Sequence, residues 1–137
     1  MDKIPRFFIK AGLVYLGLST VLGILIAIGP GYSFMHSHFG MVGFLSFVVF
    51  GICYQIIPRY SGTRIFSEKL AVVQFWLANI GLVGLSLAYP FMRMYMLKGY
   101  DFSDALTMVM VFGIIEGISV FIFIFNIWKT MGKNKTD

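Results

Sequence analysis

The chain contains two histidines, and they stand two residues apart in Met35-His36-Ser37-His38-Phe39-Gly40. Imidazole nitrogens ligate transition metals and haem iron and exchange protons near neutral pH, so this pair is the first place to look for chemistry. On a helix, at roughly 100° per residue, side chains two apart leave about 200° from one another. A helical His-x-His therefore cannot chelate one ion, and each ring addresses a different neighbour or cofactor. In an extended segment the pair would pinch one metal from one side, where two ligands rarely suffice. Spacing alone equally admits two interfacial histidines hydrogen-bonded to loop carbonyls and water.

The remaining polar groups in apolar surroundings are Cys53, Gln55, Gln74, Asn79 and Glu116. Cys53 is the only cysteine, cannot form an intrachain disulfide, and reads as a small packing residue. Glu116 is the one deeply placed carboxylate. Ionised and unpaired it would be costly, so it is expected neutral and hydrogen-bonded, to Asn79 or Gln74, or else facing a hydrated interior as a proton relay.

The elements that must position these groups follow from composition. Of 137 residues, 58% are hydrophobic, 18% aromatic and only 12% charged, with a mean hydropathy of +0.85. Soluble domains carry about twice that share of charge. Four apolar runs, Phe7 to Ile28, His38 to Ile57, Leu70 to Met92 and Ala105 to Trp128, hold 22, 20, 23 and 24 residues. Roughly 20 helical residues cross a hydrocarbon core about 30 Å thick, so each run is long enough. None alternates with period two, and a lipid-exposed span must satisfy its own backbone, so the runs are predicted helices. The expected architecture is an all-α integral membrane protein, a single four-helix domain over 1–137 with spans at about 7–28, 36–57, 70–92 and 105–128. The connectors of 9, 12 and 12 residues leave no room for a domain between spans. The first run has a basic flank, yet its apolar part is too long for a signal h-region and no A-x-A-like site follows, so it is kept as a span.

Orientation follows from the eleven Lys and Arg residues. Lys3, Arg6, Lys10, Arg59, Arg64, Lys69, Lys129, Lys133 and Lys135 fall on one side, and only Arg93 and Lys98 on the other. By the positive-inside rule both termini are expected in the cytoplasm, with the histidines toward the outer side. The net charge of +5 then reports topology or contact with anionic lipid, and no nucleic-acid partner is expected. Gly40 and Gly43, Ala78, Gly81 and Gly84, and Gly113 and Gly117 recur at helix-contact spacing, within one subunit or between two. Pro90 marks the exit of the third span, followed by an amphipathic stretch from Phe91 to Tyr100 along the interface.

The stretch from His36 through Phe44, continuing as Gly51-Ile52-Cys53-Tyr54-Gln55-Ile56-Ile57-Pro58, resembles the haem-bearing second helix of the catalytic subunit of haem-copper oxidases. The resemblance is to the nitric oxide reductase and C-type oxidase branch, including short four-span relatives. It implies that His36 takes the place of the histidine ligating low-spin haem, with Tyr54 and Pro58 matching the inner end of that helix. A later helix of the same subunit carries a His-x-His pair serving two haems, and His38 matches its low-spin ligand. The large subunit looks like three four-helix arcs about a pseudo-threefold axis, and this chain resembles one arc.

From that resemblance comes the expected cofactor, haem, b-type in the first instance. One helix presents only one of these histidines to a given haem plane, so His36 of one protomer and His38 of the next would grip each haem. A closed ring resolves the geometry, a homotrimer first and then a homodimer. Arg93 lies in the connector equivalent to the one supplying propionate-binding arginines in the family, with Lys98 the weaker candidate and an interfacial snorkelling arginine as the plain alternative. A copper centre requires further histidines that this chain lacks, so it is not expected to be a self-sufficient oxygen reductase. The implied function is electron transfer in a respiratory chain of the prokaryotic cytoplasmic membrane, with quinol or a cytochrome as redox partner. Alternatives are a haem protein handling or sensing oxygen or nitric oxide, and a non-haem structural or assembly subunit of a respiratory oxidase. A transporter is disfavoured because no paired broken helices mark a pathway.

Overall fold

The computed structural model describes residues 2–132. Lys133 and Lys135, two of the cations used for orientation, lie outside the described residues. Helix α1 (Lys3–Leu25) is followed by a 3-10 turn (Pro30–Tyr32), α2 (Ser33–His38), a π-helical segment (Phe39–Ser46), α3 (Phe47–Ser61), α4 (Glu68–Leu97) and α5 (Ser103–Met131). The middle three helical pieces run on without interruption, so the described residues contain four helices long and apolar enough to cross a membrane: Lys3–Leu25, Ser33–Ser61, Glu68–Leu97 and Ser103–Met131. The chain is an integral membrane protein of the all-α class.

Element ends depart from the apolar runs for local reasons. The first helix stops at Leu25, because Gly29-Pro30-Gly31 cannot continue it and the chain tightens into turns from Ile26. The second span closes on Gly62, whose φ of 65° is left-handed, while the amide of Thr63 reaches back to the Pro58 carbonyl at 3.0 Å. The Ser67 hydroxyl caps α4 by accepting from the Leu70 amide at 3.2 Å.

Pro90 does not end the third span. Helix α4 passes through it and reaches Leu97, 30 residues in all. At 1.5 Å per residue that is about 45 Å, so the last turns reach beyond a hydrocarbon core about 30 Å thick. Residues Phe91–Leu97 are thus the end of this rod, and the turn at Gly99 follows them.

The buried centre is aromatic. Phe8 meets the edge of Phe75 at 5.1 Å and lies 5.6 Å from Tyr54 and 5.7 Å from Phe47, while Tyr15 stacks on Phe39 at 5.4 Å. Ring pairs at this separation add specific geometry to area burial. The α4–α5 contact is the most extensive in the bundle. Gly81 and Gly84 make it possible: a Cβ at Gly81 would stand 2.7 Å from the Glu116 backbone nitrogen, and one at Gly84 would enter the Phe112 ring. Gly40 and Gly43 meet Ser19 and Tyr15 of α1 in the same way, whereas Gly113 and Gly117 have nothing within 4 Å.

Buried polar groups tie the helices at two levels. Mid-span, the Tyr15 hydroxyl donates to Asn79 Oδ1 at 2.6 Å, and Asn79 Nδ2 donates to the Phe75 carbonyl at 2.7 Å. Nearer the cation-rich end, the Tyr54 hydroxyl donates to Gln74 Oε1 at 2.8 Å and accepts from Asn126 Nδ2 at 3.3 Å. Asn126 also clasps Ser67, accepting from its amide at 3.0 Å and donating to its carbonyl at 2.8 Å, and Thr130 Oγ1 accepts from the Phe66 amide at 3.0 Å. The last helix therefore fixes the loop that joins the second and third spans.

Candidate functional site

His36 and His38 both lie in α2, the opening turns of the second span, at the end opposite Arg59 and Arg64. The segment is helical, so the extended alternative does not apply. The rings address different neighbours. His36 turns toward α1, where Nδ1 stands 2.8 Å from the Ser19 carbonyl oxygen and 3.2 Å from Ser19 Oγ. The Ser19 hydroxyl donates to the His36 carbonyl at 2.9 Å, so the two residues are joined twice. A carbonyl can only accept, so Nδ1 carries the proton and Nε2 is left as the lone-pair nitrogen of the neutral ring. One turn beyond Ser19 is Gly23, where a Cβ would come within 3.0 Å of His36 Cε1. The imidazole occupies the space this glycine leaves.

His38 stacks on Phe34 at 4.1 Å with the ring planes 27° apart, and Phe34 stacks on Tyr89 of α4 at 3.8 Å and 16°. A three-ring stack thus carries His38 to α4. Immediately after His38 the helix widens into the π segment, in which Ser46 Oγ donates to the Met41 carbonyl five residues back at 3.2 Å. Such widened turns recur at functional sites because they change which way flanking side chains face.

Arg93 sits one turn past Tyr89 on α4. With Lys98, Pro90, Met94, Leu97 and Gly31 it borders a cavity of about 320 Å³. Gly31 belongs to the turn that leads into the histidine helix, so the structure brings both outlying cations to the histidine end of the bundle. Cys53 is half-buried and free.

Glu116 is not hydrogen-bonded as expected. Asn79 bonds Tyr15 and the Phe75 carbonyl, Gln74 accepts from Tyr54 while its Nε2 stays unpartnered, and Glu116 Oε2 is enclosed without a partner among the described residues. The reason is placement: Gly81 brings the α4 backbone against the Cα of Glu116, above the level of Gln74.

No group of three or more His, Cys, Asp or Glu side chains among the described residues could hold a bare metal ion. Two separately oriented imidazoles suit a macrocycle that brings its own equatorial nitrogens and needs only axial ligands. Ser19, Gly23 and the Phe34–Tyr89 stack were not foreseen from sequence. The one available signal was Ser19-Thr20, a hydroxyl pair in an otherwise apolar run.

The chain is thus a four-span helical membrane unit with its two histidines at one end of the second span. The chain belongs to the family described as Cytochrome C and Quinol oxidase polypeptide I, which matches residues 7–101. It is 32% identical over 91 residues to the Cbb3-type cytochrome c oxidase subunit CcoN1 of Stutzerimonas stutzeri, covering 60% of this chain and 19% of that protein. Identity is 30% over 91 residues to cytochrome c oxidase subunit 1 of Rhodobacter capsulatus, covering 60% and 17%. A cytochrome c oxidase subunit 1 homolog of Agrobacterium tumefaciens matches at the same 30%. The chain spans about a fifth of the length of the curated relatives it matches. The family match ends before α5 begins.

Proposed function

We propose that this chain binds haem through His36 and His38 and transfers electrons in a respiratory membrane. The observation that carries the reading is the hydrogen bond from His36 Nδ1 to the Ser19 carbonyl, at 2.8 Å, which leaves Nε2 as the ligating nitrogen. Histidines that ligate metals are oriented in this way, by a carbonyl or carboxylate at the other ring nitrogen. The stack on Phe34 and Tyr89 holds the second ring in place.

Because the rings diverge to α1 and α4, each haem would be shared: His36 of one protomer on one side, His38 of the partner subunit on the other. A homotrimer is the first expectation and a homodimer the second. The haem, of b type, supplies one-electron exchange at iron. The chain's own residues hold the imidazoles in place, exclude water with the Phe34–Tyr89 stack, and offer Arg93 and Lys98 to the anionic propionates. The site would lie toward the outer face of a prokaryotic cytoplasmic membrane with both termini inside, and electrons would arrive from quinol or a cytochrome.

The test is the visible spectrum of protein purified in detergent. A Soret band with sharp reduced bands of six-coordinate haem is expected, lost in His36→Ala and in His38→Ala. A preparation that stays colourless after haem reconstitution sinks the reading and leaves a structural or assembly subunit. A reduced spectrum that shifts with carbon monoxide replaces electron transfer by gas chemistry at an open axial position.

A further inference from the structure

The far end of the bundle holds a second feature with no part in haem binding. Where the start of α1 meets the end of α3 and the loop after it, a cavity of about 700 Å³ opens, bordered by Lys3, Arg59 and Arg64 as well as Asp2 and Glu68. Among the described residues, none of these three cations forms an ion pair with either carboxylate. Arg59 instead faces the Gln55 amide, whose oxygen, with the amide turned to satisfy both groups, accepts from Nε at 2.7 Å and Nη2 at 2.6 Å. The Thr63 hydroxyl, on the wall of the same cavity, is enclosed and has no partner among the described residues. Among the described residues, three cations without a carboxylate partner and an unused hydroxyl thus border one cavity.

Directly alongside runs an apolar groove of about 120 Å³ between α1 and α4, lined by Ile4, Phe7, Phe8, Val72, Phe75 and Trp76 among others. Ile4 belongs to both spaces. On α4 the change from polar to apolar takes one turn, with Glu68 in the cavity and Val72 in the groove. The groove exists because α1 and α4 scarcely pack on each other, each being committed to another helix.

We propose that this composite site binds one anionic glycerophospholipid, its phosphodiester headgroup among Lys3, Arg59, Arg64 and Thr63 and one acyl chain in the groove between α1 and α4. The balance of three cations to two carboxylates favours a net negative headgroup over a zwitterionic one. Inorganic phosphate satisfies the cavity alone and leaves the groove unused, while a neutral lipid does the reverse. A cation-rich collar also matches the leaflet in which anionic lipid attracts basic residues.

The test uses the full chain in detergent, delipidated and titrated with phosphatidylglycerol or with phosphatidylcholine of identical acyl chains, with adducts counted by native mass spectrometry. One phosphatidylglycerol per protomer is expected, bound in clear preference to phosphatidylcholine. Removing charge with Arg59→Gln or Arg64→Gln should weaken it about fivefold each. The pair Arg93→Gln and Lys98→Gln, at the opposite end, should leave it unchanged. Val72→Trp, which fills the groove from an exposed position, should reduce lipid binding while inorganic phosphate competes as before. Equal retention of the two lipids, undiminished binding in the Arg59→Gln/Arg64→Gln double variant, or displacement by phosphate regardless of acyl chain would each overturn the proposal. Thr63→Val, a near-isosteric change that spares all charges, should lower affinity more modestly and guards against a misfolded arginine variant. None of these readouts involves haem, so the lipid site and the haem reading fail separately.

Discussion

His36 depends on two residues of another helix in different ways, and substitution separates them. Ser19→Ala keeps the backbone carbonyl that receives Nδ1 and loses the hydroxyl with its bond to the His36 carbonyl and its longer contact to Nδ1. A loss of haem affinity smaller than the 10- to 100-fold seen when a metal ligand's orienting partner is removed is therefore expected. Gly23→Leu leaves every ligand atom present but drives a side chain into the space of the imidazole. It should abolish the Soret band nearly as completely as His36→Ala, in protein that still folds by circular dichroism. The histidine pair was legible from its spacing, and its divergence from helical geometry alone. Ser19 and Gly23 were not, because their role depends on which face of α1 lies against the second span, and that is decided by packing many residues away in sequence.

Helix α4 joins both ends of the molecule, and its interior proline and glycines are under different constraints. Pro90 lies where α4 already approaches the interface, so Pro90→Ala should change the detergent melting temperature little. Gly84→Leu must displace the Phe112 ring and should destabilise the fold by about 1–3 kcal/mol, the usual cost of overpacking, read as a lower melting temperature. Asn126→Ala removes both clasps on Ser67 and the contact with Tyr54, and should open the loop between the second and third spans to protease before the bundle melts. At the start of α5, the Ser103 amide bonded to Asp101 holds that carboxyl below the ordinary carboxylate range. The sign follows: its support of the helix start is present above the unfolded pKa and is lost as pH falls through the lowered folded value, so the protection of the Ser103 amide, relative to its intrinsic exchange rate at each pH, should fall on acidification. Hydropathy located all four spans, since a membrane leaves no other way to satisfy so much apolar backbone. Their ends escaped it, because Leu25 and Leu97 are chosen by turn chemistry and by how far a rod continues past the lipid.

The bundle as a whole leaves much of its apolar surface exposed. Helix α5 is the least covered span, and a Cβ added at Gly113 or Gly117 would meet no atom of another helix among the described residues. Gly113→Leu therefore costs nothing inside one protomer, and a fall in particle mass in detergent for this variant would identify α5 as a contact between copies. With shared haems, the wild-type particle should carry one haem per protomer, and a monomeric particle should carry none. The widened segment from Phe39 to Ser46 bears on the same geometry. It works as a clutch between the histidine turns and the aromatic centre: excising a single residue there, Met41 for instance, would let the backbone relax to ordinary winding and swing both imidazoles about 100° around the rod. The bundle would survive such a deletion with its two histidines facing the wrong way.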